Sequence, residues 1–128
     1  MPVEIKIDGK ADVVVRRVIG KLSLDDVKDS FKALYEHPGF RVGMSAVWDF
    51  REGDAAKLTG DGIKEIVSYV AQQTAKRGSG YRVAIVAPRD VDFGTSRMFQ
   101  TYGHDLPFEL KICRKVEDAF RWINESSQ

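Results

Sequence analysis

The sequence is poor in the residues that mark specialised chemistry. It has one cysteine, Cys113, two histidines, His37 and His104, and four prolines among 128 residues. A lone thiol forms no intramolecular disulfide, so stability must come from a core, and a reducing compartment is expected. The two histidines and the cysteine pair at no helical or knuckle spacing, which argues against a metal centre. An excess of one charge is missing too: 20 Lys+Arg stand against 19 Asp+Glu, a formal net charge of +1. That balance argues against nucleic-acid binding, which calls for a basic excess or stripe. Long hydrophobic runs are absent. The longest, Val83-Ala84-Ile85-Val86-Ala87, is far short of the roughly 20 residues of a spanning helix. The first residues lack the apolar stretch of a signal peptide, so the expectation is a cytoplasmic protein without integral membrane association.

What is present is the balance of a globular domain, 43% hydrophobic and 30% charged, and residues 1–128 read as one domain with one core. Val3, Ile5 and Ile7 alternate with Glu4, Lys6 and Asp8, the period of a half-buried strand. Asp8-Gly9 offers a turn, and Val13-Val14-Val15 through Val18-Ile19 reads as a second, antiparallel strand. Ser23, with Asp26 three residues on, is placed to cap a helix that carries Leu24, Val27, Phe31, Leu34 and Tyr35 on one face. Met44 to Phe50 holds a short strand, Ala46-Val47-Trp48, ending in Asp49. A second helix, capped by Thr59 or Asp61, has the stripe Ile63, Ile66, Val67, Val70 and Ala71, with Lys76-Arg77-Gly78 as a cationic last turn.

Tyr81 to Ala87 is nearly all apolar, a strand covered on both faces and ended by Pro88. Asp92 is placed to cap a third helix with Met98, Phe99 and Tyr102 facing inward. Phe108, Leu110 and Ile112 suit an edge strand, and Val116, Ala119, Phe120 and Ile123 form the stripe of a last helix that lacks a good N-cap. The order ββαβαβαβα implies an α/β fold with a mixed, mostly parallel sheet and an N-terminal hairpin.

Catalytic signatures do not assemble. His37 beside Pro38-Gly39 suits a helix C-terminus. His104 and Asp105 are a formal base pair, but adjacent side chains rarely face one another. Thr95 and Ser96 fall where hydroxyls satisfy helix-start amides, no Gly-x-Ser-x-Gly elbow exists, and Cys113 reads as a small core residue. Gly78-Ser79-Gly80 precedes a strand, whereas a dinucleotide loop follows one. The stretch 57–62 lacks the Gly-Lys-Ser/Thr ending of a phosphate loop. A response-regulator receiver would need an acidic pair at the first strand end and a Lys-Pro pair after the last; both are missing. No metal or cofactor is expected.

One cluster stands out. Ligands of open parallel sheets bind beyond the carboxyl ends of the strands. That edge gathers Asp49, Arg51, Arg89, Asp90 and Asp92, with Thr59 and Thr95 at helix starts. Mixed charge there suits a small anion or a partner loop; the plainer alternative is loop charges that pair with one another. Trp122, Phe40 and Phe93 lie off the apolar stripes, as peripheral core or as part of a dimer face or apolar pocket.

Several segments resemble the SpoIIAA-like proteins, also described as STAS/SEC14-type domains. They are Val18-Ile19-Gly20-Lys21-Leu22-Ser23-Leu24-Asp25-Asp26, Val47-Trp48-Asp49-Phe50-Arg51, Tyr81 to Ala87 leading into Phe93 to Phe99, and Glu117 to Ile123. The resemblance spans most of the chain and implies a STAS-like single domain. Anti-sigma-factor antagonists of this fold carry an Asp-Ser-Ser-Gly-type stretch with a phosphorylated serine at the start of the second helix. The matching stretch here is Thr59-Gly60-Asp61-Gly62-Ile63, with Gly60 at the acceptor position. SEC14-type members bind lipids in an apolar pocket.

The resulting expectation is a non-enzymatic regulatory or binding domain, dimeric, with Asp49, Arg51, Thr59, Gly60, Asp61, Arg89, Asp92 and Phe93 as its recognition surface for a protein partner or a small apolar or anionic ligand. One alternative is a carrier of a lipid or another apolar molecule around Phe93, Met98, Phe99 and Tyr102. Another is an acid–base enzyme using His104.

Overall fold

The computed structural model describes residues 2–125. Asp8 Oδ1 accepts the backbone N–H groups of Lys10 and Ala11, and this turn joins β1 (Val3–Asp8) to β2 (Val13–Lys21) as an antiparallel hairpin. The strands β3 (Ser45–Asp54), β4 (Tyr81–Val86) and β5 (Phe108–Cys113) then add in parallel and in chain order, giving the sheet β1-β2-β3-β4-β5. The helices are α1 (Leu24–Glu36), α2 (Gly60–Gln72), the one-turn α3 (Thr74–Arg77), α4 (Asp90–Tyr102) and α5 (Val116–Ile123). The expected order is present, with α3 as an added turn.

This topology fixes the layers. Crossovers of one favoured hand, stepping one way along a sheet, place their helices on the same face. Accordingly α1, α2 and α4 cover one face, where Val18, Phe50 and Ile85 meet Val27, Phe31, Ile63 and Ile66. The last helix, α5, covers the other, its Ala119 and Ile123 packing on Val13, Val47, Ala84 and Val86. No helix among the described residues is long and apolar enough to cross a membrane.

Local chemistry explains the helix starts. Ser23 and Asp26 form a reciprocal capping box on α1, and Thr59 Oγ1 accepts the Gly62 N–H at the start of α2. The α5 N-terminus has no side-chain cap, as its sequence implies.

Four expectations are corrected. Asp49 does not end its strand: β3 runs on to Asp54 because β2 also continues and supplies Ile19, Gly20 and Lys21 as partners for Glu52, Gly53 and Asp54. Asp92 does not cap α4; Arg89 occupies the N-cap position without a side-chain bond, and Asp92 is buried in the first turn. Tyr102 does not face inward but is 41% exposed. The helix beginning at Gly60 ends at Gln72, and its supposed cationic terminus is a separate turn whose Arg77 is buried.

The turn after Arg77 depends on glycine. Gly78 has φ +98°, and a Cβ there would lie 2.6 Å from the Gly43 backbone nitrogen. Gly78→Ala should therefore cost about 2–4 kcal/mol, combining left-handed strain with displaced backbone. Urea unfolding checks this, and a loss under about 0.5 kcal/mol would contradict it.

Candidate functional site

At the carboxyl edge of the sheet the structure divides the sequence-predicted residues. Side chains alternate along β3: Trp48 and Phe50 face the α1, α2 and α4 layer, so Asp49 points to the α5 side. There it is 4% exposed and held by its neighbour. The Arg51 side chain donates to both Asp49 oxygens, at 2.8–3.1 Å, and the Arg51 backbone N–H donates at 3.0 Å. Burial works to raise the Asp49 pKa, but the Arg51 hydrogen bonds outweigh it and leave the carboxyl below its ordinary value.

On the opposite side Arg89 and Asp92 form a clamp. Arg89 Nε donates to Asp92 Oδ2 at 2.8 Å, while Asp92 Oδ1 accepts the Ala55 N–H at 2.7 Å. Arg89 also reaches Asp54 and the Gly53 carbonyl. This network ties the end of β3 to the start of α4. Asp92 is wholly buried, so it serves the clamp and does not meet solvent. Thr59 and Asp61 are exposed at the start of α2, with Gly60 between them. Phe93 is half-buried beneath Arg114, whose guanidinium carbon lies 4.2 Å from the ring centroid. The strand order never reverses, so this edge lacks the switch-point crevice that makes such edges binding sites in doubly wound sheets.

The remaining candidates are local. His37 Nδ1 accepts the Gly39 N–H. His104 and Asp105 do meet, at 3.0 Å, but both are largely exposed. Thr95 and Ser96 do not satisfy helix-start amides; each donates to the carbonyl one turn back, of Val91 and Asp92. Cys113 is buried, and burial raises its thiol pKa.

The feature that sequence reasoning missed lies between the sheet and the α1, α2 and α4 layer. A cavity opens there, walled by residues such as Phe31, Ile63, Ile66 and Phe99 and floored by Arg16, Trp48 and Ile85. The centre of a water molecule can range over about 90 Å³ within it, whereas one water needs roughly 10–15 Å³ by that measure. Trp48 stands on the central strand of this covered face, lines the cavity and is still only half-buried.

Two guanidinium groups line this cavity. Arg16 is 1% exposed and Arg77 is 2% exposed. Arg16 projects from the middle of β2, with its guanidinium carbon 4.4 Å from the Phe31 ring and 4.6 Å from the Trp48 ring. Arg77, from α3, lies 4.1 Å from the Tyr81 ring and donates to the Met44 carbonyl. Burial first, and then the like charge of Arg77, pulls the Arg16 pKa down to about 9. It stays charged at neutral pH. Burial lowers Arg77 as well, and it raises the phenols of Tyr35, to about 12, and Tyr81.

A signal for Arg16 existed: it shares the two-residue period of Val14 and Val18, so it had to face inward with them. Arg77 gave none, since cations at helix ends are ordinarily solvated.

An N-terminal hairpin extended by parallel strands in chain order, three crossover helices on one face and a terminal helix on the other: this is an α/β domain with the SpoIIAA-like fold. Among solved structures it is similar to an uncharacterised protein of the DUF3478 family from Shewanella loihica PV-4, described as having a SpoIIAA-like fold. The likeness has a TM-score of 0.60 at 20% identity and covers 94% of this chain and 91% of that one. No protein-family model and no curated protein matches the chain. At this identity the likeness establishes the fold, and the reading of a ligand must come from the site itself.

Proposed function

We propose that this chain is a non-enzymatic binding domain that holds a small molecule with an apolar body in the cavity beneath α1, α2 and α4. The observation that carries the reading is Trp48, a central-strand residue left half-buried by a cavity of about 90 Å³. Protein interiors are close-packed, and voids larger than a water are few, while concave, mostly apolar cavities with a few convergent polar groups are the usual small-molecule sites. Tyr35, raised to about 12, and Arg16, lowered only to about 9, both keep their protons at neutral pH. That supports binding over acid–base chemistry.

Trp48 reports on its own cavity. The chain has two tryptophans, and Trp122 packs on the α5 face, so Trp122→Phe leaves Trp48 as the sole indole. Titration with 1-octanol and octanoate should give a saturable change in its emission with one-to-one stoichiometry, and native mass spectrometry of gently purified protein should show a bound small molecule. If neither compound gives a saturable change and the native mass is that of the bare chain, the cavity is not a binding site.

A second reading places a protein partner, a second copy of the chain included, at α4. Val91 and Tyr102 are exposed, at 48% and 41%, and their spacing of eleven residues puts them on one helical face. Sedimentation velocity tests the homodimer: Val91→Glu should convert a dimer to monomer. A wild-type protein monomeric at every concentration excludes it.

A further inference from the structure

We infer that the cavity ligand is a monocarboxylate with a compact apolar body, its carboxylate gripped between Arg16 and Arg77; this rests on the cavity reading above. Three side-chain nitrogens here are buried without a hydrogen-bond partner among the described residues: Nε and Nη2 of Arg16 and Nη1 of Arg77. Nε and Nη2 form one edge of a guanidinium, the planar fork that meets both oxygens of a carboxylate side by side. Such an edge, left empty in an apolar wall, is costly, because buried charges are ordinarily paired.

Among the described residues no carboxylate answers Arg16; Asp12 attracts Arg77 from a distance but forms no hydrogen bond with it. The groups that act on Arg16 are Arg77, which repels it, and the phenols of Tyr81, Tyr35 and Tyr69; no carboxylate is among them. Waters in the cavity would satisfy N–H groups but would leave the charge unneutralised. A carboxylate does both, and its roughly four lone-pair sites match three vacant donor atoms.

A phosphate group would be worse served. Its extra oxygens need further donors, and the Thr95 and Ser96 hydroxyls in the wall already donate to the Val91 and Asp92 carbonyls, at 3.0 and 2.8 Å, which leaves only Trp48 and Tyr81 in the lining to serve them. The rest of the lining, Ile63, Ile66 and Phe99 among it, suits a hydrocarbon or aromatic body. The cavity's size limits that body to something far smaller than a phospholipid.

Matched ligands separate the head from the body. In the Trp122→Phe protein at pH 7, octanoate should bind at least about tenfold tighter than 1-octanol, a difference of about 1.4 kcal/mol. Arg16→Met should bring the two within about twofold while octanol binding persists, and inorganic phosphate should not displace octanoate at equal concentration. Arg16→Lys, which keeps the charge but loses the fork, should fall between and serves if the methionine variant does not fold. Octanol binding as tightly as octanoate, or Arg16→Met keeping the full preference, would overturn the carboxylate while leaving the cavity reading intact. Phosphate displacing octanoate would reduce the site to a simple anion site and overturn the apolar body. Binding of neither compound would refute both readings.

Discussion

Replacing Arg16 with methionine is expected to make the ligand-free protein more stable at pH 7, by about 1–4 kcal/mol, the reverse of what most core substitutions do. Methionine is of similar length and stays against Phe31 and Trp48, where S–aromatic contacts recover about 0.3–1.5 kcal/mol each. What is lost is the cation–π attraction to the two rings, roughly 2 kcal/mol apiece when desolvated. What is removed is larger. Burial of the guanidinium, aided by repulsion from Arg77, brings its pKa from the ordinary arginine value down to about 9, and each unit of such a shift is about 1.4 kcal/mol against the charged form.

The pH dependence follows from linkage. The folded-state pKa lies below the unfolded one, so from about 9 up to the ordinary arginine value the unfolded chain binds more protons, and this group's destabilisation fades as pH rises. It is fully present below about 9. The gap between Arg16→Met and wild type should therefore be widest at neutral pH and narrow by roughly 1 kcal/mol at pH 10. Urea unfolding of both proteins at the two pH values measures it. A methionine variant no more stable than wild type at pH 7 would show that Arg16 is compensated by its rings alone. The stabilisation should come with loss of carboxylate preference, as is usual when a binding group is a structural liability in the empty protein.

Asp92→Ala should be the most damaging change within the carboxyl-edge set, costing about 2–4 kcal/mol. Its two oxygens satisfy the buried Ala55 N–H and the Arg89 guanidinium. Alanine orphans that N–H and releases the end of β3 from α4, while Arg89, being half-exposed, returns to solvent at little cost. Asp61→Ala, which removes an exposed carboxylate from the first turn of α2, should cost no more than about 0.5–1 kcal/mol. Thermal and urea unfolding of the two variants gives the comparison. Equal losses, or an Asp92→Ala protein within about 0.5 kcal/mol of wild type, would show that the clamp contributes nothing.

The same pair shows why the edge was partly legible. Asp49, Arg51, Arg89 and Asp92 stand close in sequence to strand ends, and closeness to an edge is what a pattern of strands and loops conveys. Whether a carboxylate there meets solvent or a backbone N–H depends on which element returns to it. Asp92 is answered by Ala55, 37 positions away, and nothing local in either segment records that contact. Asp49 was misplaced at a strand end because the apolar run stops at Phe50. Strand β3 outlasts its apolar residues, since β2 outlasts its own and pairs with it as far as Lys21 and Asp54.

Local interactions fixed what the sequence determined unaided. The Asp8 turn, the Ser23–Asp26 capping box, the Thr59 cap and the two-residue and 3.6-residue periods each involve residues at most a turn apart, and together with right-handed crossovers they dictate the order of elements and the helix layers. Only the tertiary structure decided how far α2 stands off the sheet and what lies beneath it. Arg16 could be read as inward-facing, but Arg77 joins it only because α2 breaks at Gln73 and Gly78 turns the chain against Gly43. A cavity with two unanswered guanidiniums arises from contacts among segments distant in sequence, and no local pattern encodes the space they leave.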